Sequence, residues 1–199
     1  MSAQSVEQDV AYLKELAEAG VKGVPGGGEY HLVWGVVVAL GLGLTYGAVN
    51  GVLPIDRTTL TFCWSGLIAA GWAVTFFLSR GMGAKPEGLR FANRLVAVTW
   101  LAAGIAMTTM WLGLVVGGMH QALMMPIASA IAGVGCAVSA TIFRLNWLYG
   151  VAVGWWVVAF VSFLMYQRIE FILFSAAAIL ILQGGTGLAL LLLERRHSR

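Results

Sequence analysis

Six apolar stretches, each long enough to cross a bilayer, fill the chain from about Tyr30 to Glu194, and their cores hold no Asp, Glu, Lys or Arg. A hydrocarbon layer of about 30 Å takes roughly 20 helical residues to cross. Backbone groups in lipid must bond within their own segment, so each stretch reads as a helix. The period-two alternation of a membrane β-barrel is missing. The composition agrees, with 59% hydrophobic and only 11% charged residues, against about 25% charged in an average soluble domain.

The expected spans are His31 to Gly51, Thr58 to Ser79, Leu95 to Gly117, Ala122 to Phe143, Trp147 to Tyr166 and Phe171 to Leu193. The fold class that follows is an all-α integral membrane protein. Six transmembrane helices form one bundle over 30–194, preceded by a short amphipathic helix and Gly-rich linker in 1–29 and followed by a basic tail, 195–199. The outer loops are nearly bare turns, as in Met119-His120-Gln121, so sequential spans are expected to be antiparallel neighbours. No convincing repeat relates the two three-span halves.

The loop charges set an orientation. Lys14, Lys22, Arg80, Lys85, Arg90, Arg94, Arg144, Arg195, Arg196 and Arg199 fall on one side, and Arg57 and Arg168 on the other. This positive-inside bias predicts both termini in the cytoplasm of a prokaryotic plasma (inner) membrane. The formal net charge of +3 is no nucleic-acid signal, because the basic residues are spread over loops. The acidic first 29 residues lack the apolar core of a signal peptide, so the first span is expected to be the insertion signal.

Residues 5–19 carry an apolar stripe, Val6, Val10, Leu13 and Ala17, widened by Tyr12 and Leu16. Glu7, Asp9, Glu15 and Glu18 fill the other face. Helices that bind anionic lipid are normally basic. This one is expected to dock on the loop of Arg80, Lys85, Arg90 and Arg94, a solvated tail being the alternative.

Small residues four apart let helix backbones approach closely. The strongest such row is Gly43, Gly47 and Gly51 in span one, with Gly150 and Gly154 in span five. Rows on so many helices favour packing within the bundle over oligomerisation through span one. Near mid-depth the polar candidates are Thr108, Thr109 and Gln183, the last in the run Gln183-Gly184-Gly185-Thr186-Gly187. Such a run reads first as an interhelical hydrogen bond beside a close neighbour and second as a solute site in a loosened helix. No carboxylate lies away from the span ends, which counts against proton-coupled transport.

Met119, His120 and Met124 at an outer turn are weak metal candidates of the Cu(I) type, since Met is also a routine gap-filler. His31 and His120 lie at opposite ends of their spans, which speaks against a bis-His haem, and no cofactor is expected. Cys63 and Cys136 lie inside spans and read as small hydrophobes. Of the adjacent Trp155 and Trp156, one is expected to pack inward and the other to meet lipid or a partner, a quinone or lipid site being the alternative. No catalytic constellation is present, so an enzyme is not expected. The expected partners are the bilayer and a further membrane protein or a second copy of the chain. The expected function is that of a scaffold, accessory or regulatory subunit acting through helix–helix contacts. The alternative is a small facilitative transporter or channel for a neutral or apolar solute.

Overall fold

The computed structural model describes residues 27–80 and 87–197, together with Ala11, Tyr12 and Lys14. The expected docking of the amphipathic helix on the basic loop falls largely outside these residues. Among the described residues there is no strand. The helices are α1 (Gly28–Val49), α2 (Arg57–Arg80), α3 (Glu87–Val116), α4 (Met124–Phe143) and α5 (Asn146–Met165). A single 3₁₀ turn, Gln121–Leu123, leads into α4. The sixth span is composite: α6 (Glu170–Ala178), a π-helical segment (Ile179–Gly184) and α7 (Gly185–His197).

All six spans are long and apolar enough to cross a membrane. The distribution of side chains tells the same story from the other direction. The fully buried side chains include Ser129, Ser162 and Ser175, whereas Phe62, Phe77, Phe160 and Leu164 are each more than 60% exposed. A chain surrounded by water buries the second kind and exposes the first. Only an apolar surrounding makes this arrangement favourable. The protein is therefore an all-α, multi-pass membrane bundle.

Span ends depart from the apolar limits where local chemistry carries the helix further. α1 begins at Gly28, a turn before the expected start, after Gly27 at φ 114°. It stops at Val49, so Gly51 sits in the following turn at φ 69°. α3 begins at Glu87, well ahead of the apolar run at Leu95, because Glu, Leu, Arg and Ala sustain a helix in water as well as in lipid. α4 and α5 are joined through Arg144, which takes the left-handed conformation at φ 52° and reverses the chain within two residues.

Packing is uneven. α4 and α5 form the most intimate pair, α3 lies on α4, and α1 lies against α2 and along the whole composite sixth span. The core joins Leu42 of α1, Ala132 and Cys136 of α4, Ala152, Trp155 and Val158 of α5, and Ile172, Ala178 and Ile179 of the sixth span. Span two is the outlier: among the described residues its one extensive backbone contact is with α1.

Candidate functional site

Three hydroxyls organise the contacts of α2 and α3 by one repeated pattern. Thr45, Thr108 and Ser139 each donate to the carbonyl of the glycine one turn earlier, Gly41, Gly104 and Gly135, at 2.7, 2.8 and 2.8 Å. Each hydroxyl oxygen also accepts an indole N–H from a neighbouring span, from Trp64, Trp72 and Trp100, at 3.1 Å in every case. The same indole lies over the same glycine; a Cβ would clash with it at Gly41 and Gly104 and press tightly on it at Gly135. The glycine admits the ring, and the hydroxyl satisfies the N–H that the ring brings into the apolar layer. Trp34 on Gly71 and Trp156 on Gly133 repeat the steric half of the pattern.

A second polar group forms where α1 meets the sixth span, at the π-helical segment and the first turn of α7. Here two backbones touch: a Cβ on Gly28 would come 2.7 Å from the Gly187 carbonyl, and one on Gly187 would come 2.9 Å from that of Gly28. Beside this crossing the side chain of Gln183 engages His31. The His31 ring also meets the edge of Trp100, centroid to centroid 4.9 Å at 82°. His31 is only 9% exposed, and its Nδ1 has no hydrogen-bond partner. π segments commonly occur at functional sites because they re-aim the side chains that follow them.

The expected site residues fall in separate places. Thr108 belongs to the Trp72 contact, Thr109 is exposed on the outer face of α3, and Gln183 faces His31 rather than either threonine. Gly47 lies under Leu53, and Gly154 meets Leu182. Gly43 and Gly150 have nothing within 4 Å of a Cβ position. His120 stacks edge-on with Tyr166, Met119 is exposed and Met124 half-buried. Among the described residues no group of three His, Cys, Asp or Glu is placed to hold a metal. Trp155 is buried in the core, and Trp156 is 44% exposed.

Two features escaped the sequence. By sequence His31 stands only at the end of its span, yet the early start of α1 brings it under Gln183 and Gly187. The Gly-x-x-x-Ser/Thr pairs were present as Gly41/Thr45, Gly104/Thr108 and Gly135/Ser139, and each lies opposite a tryptophan. No family model matches the chain, and neither the curated proteins nor the solved structures provide a match.

Proposed function

We propose that this chain is a non-enzymatic membrane protein that acts through helix–helix contacts, as a scaffold, accessory or regulatory subunit. The observation that carries the reading is the outer face of α2. Only 6% of its most apolar stretch is buried, and 11% of that of span three, against 28–39% for the other four. On that face Gly66, Ala69, Ala70 and Ala73 are exposed, and nothing lies within 4 Å of a Cβ at Gly66. Gly66 and Ala70 form a small-xxx-small pair, the spacing that lets a second membrane helix approach closely. Phe62, Phe76 and Phe77 flank the row and are also exposed. The excess of loop cations supports a prokaryotic inner membrane with both termini cytoplasmic.

The test is association in native membranes. Gly66→Leu and Ala70→Leu should release the partner, or turn a homodimer into a monomer, in native gels after mild solubilisation. Cys at Phe62 or Phe77 should crosslink to that partner in the membrane. A wild-type protein that is monomeric and uncrosslinked at every protein-to-lipid ratio defeats the proposal. The transporter alternative built on Gln183, Thr108 and Thr109 has less support, since those three residues do not converge.

A further inference from the structure

α2 and α3 are consecutive spans, yet among the described residues they make no extensive backbone contact. Trp72 bridges them near mid-depth. Its ring lies over Gly104, and its indole N–H donates to the Thr108 hydroxyl at 3.1 Å. Toward the other end of α2, the Thr61 hydroxyl accepts from the side chain of Gln121, in the turn before α4, at 3.1 Å.

On the Arg80 side of Trp72 the two helices stand open. Helix spacing continues the face of Trp72 through Phe76 and Ser79, and the face of Gly104 and Thr108 through Leu101, Ala97 and Arg94. All five of these are exposed, Phe76 by 53% and Leu101 by 51%. Helices packed at the usual separation of about 8–10 Å bury the residues that face each other. The pair is therefore splayed, joined at Trp72 and parted beyond it, and the space between is a cleft that narrows toward the ring.

The cleft is one leaflet deep. The middle of α2 falls at Ile68 and Ala69, and Trp72 stands about 5 Å from it on the Arg80 side. Arg80 follows about 12 Å further on, just past the edge of a hydrocarbon layer about 15 Å deep on each side. α3 runs antiparallel with Gly104 and Thr108 level with Trp72, so Arg94 lies about 3–9 Å beyond Arg80. A headgroup layer is about 5–8 Å deep, and the two arginines bracket it.

The mouth of the cleft is cationic. The Arg80 guanidinium lies 4.2 Å over the Phe76 ring, so a ring that walls the cleft also holds a cation at its opening. Arg80 and Arg94 are both exposed, and among the described residues neither is paired with a carboxylate.

We propose that this cleft binds one phospholipid with an anionic headgroup, from the leaflet at the Arg80 end. One acyl chain lies against Phe76, Ala97 and Leu101, and the phosphate sits between Arg80 and Arg94. A second membrane helix does not fit, because it crosses both leaflets and Trp72 closes the cleft within one. A zwitterionic lipid carries an ammonium beside its phosphate, so two unpaired arginines favour the anionic kind. The site lies on the α3 side of α2 and does not depend on the contact proposed for Gly66 and Ala70.

The test is native mass spectrometry of the full chain in mild detergent, titrated with dioleoyl phosphatidylglycerol or dioleoyl phosphatidylcholine. Wild type should take up one phosphatidylglycerol well before any phosphatidylcholine. Arg80→Gln combined with Arg94→Gln should weaken that uptake about thirtyfold, the effect of two arginines at a membrane surface. Arg168→Gln combined with Arg196→Gln removes the same charge elsewhere and should bind as wild type does. Ala97→Trp fills the cleft from an exposed position and should block uptake with both arginines in place. All three variants should elute from gel filtration as wild type does. Equal uptake of the two lipids by wild type overturns the proposal. So does full uptake by the Arg80 and Arg94 variant or by Ala97→Trp, and so does an equal loss in the Arg168 and Arg196 variant.

Discussion

The indole N–H of Trp100 donates to the hydroxyl of Ser139 at 3.1 Å, and that hydroxyl donates in turn to the carbonyl of Gly135 at 2.8 Å. One serine thus satisfies an N–H from α3 while its own proton stays on α4. The arrangement is coupled, so the two side chains are expected to contribute non-additively. In a double-mutant cycle, Trp100→Phe and Ser139→Ala should show a coupling of about 0.5–1.5 kcal/mol, within the range for interhelical hydrogen bonds in membranes. Reversible unfolding in mixed micelles measures it. Additive effects would mean that the ring, and not its N–H, holds α3 to α4.

The glycines of the bundle are expected to divide by what faces them. Gly133 lies under the Trp156 indole, and Gly135 has Trp100 atoms 3.1 Å from a Cβ position. Leucine at either site must displace a tryptophan, an overpacking that costs about 1–3 kcal/mol or more. Gly43 and Gly150 face open space within 4 Å, and leucine there should change unfolding stability by no more than about 0.5 kcal/mol. Thermal denaturation of the four variants in one detergent separates the groups. A large loss at Gly43 would show that span one packs against a second copy.

This division shows what the sequence could and could not reveal. The number and order of the spans were legible, because transfer into lipid depends on apolar length alone. The partner of each small residue was not. Gly43, Gly47 and Gly51 formed the most regular row, yet α1 ends at Val49 and Gly51 lies in the turn beyond it. Gly41 and Gly104 looked unremarkable and prove to be seats for Trp64 and Trp72. Helix spacing defines which residues share a face, but not which neighbour that face meets. The same limit hid His31. Its burial depends on where α1 begins and on a π segment in a span distant in sequence, and periodicity reports neither.

The loop charges make a directional prediction. In a variant with Cys63 and Cys136 replaced by Ala, a thiol at Met119 should react with a membrane-impermeant maleimide added to intact cells. A thiol at Ser198 should react only after the membrane is opened. The reverse pattern would place the larger group of loop cations outside and contradict the positive-inside assignment. Reaction at both positions in intact cells would contradict the topology itself.

Asp56 precedes α2 and acts as its N-cap, its Oδ1 accepting the backbone N–H of Thr59 at 2.8 Å. Hydrogen bonds from Thr59 hold this exposed carboxyl below its ordinary value. The sign follows from linkage: a carboxyl with a lowered folded-state value stabilises the fold fully above its unfolded value, and that contribution is lost as pH falls through the lowered value. The cap should therefore favour α2 throughout the neutral range and weaken only in acid. Asparagine is an equally good N-cap residue without a proton to gain. Asp56→Asn should melt close to wild type at neutral pH and lose less stability on acidification, whereas Asp56→Ala should be the less stable at neutral pH. Melting curves of the three proteins across the acid range decide it. If wild type and Asp56→Asn fall in parallel, the acid sensitivity lies elsewhere; if Asp56→Ala melts as wild type does at neutral pH, the Thr59 contact does not hold α2.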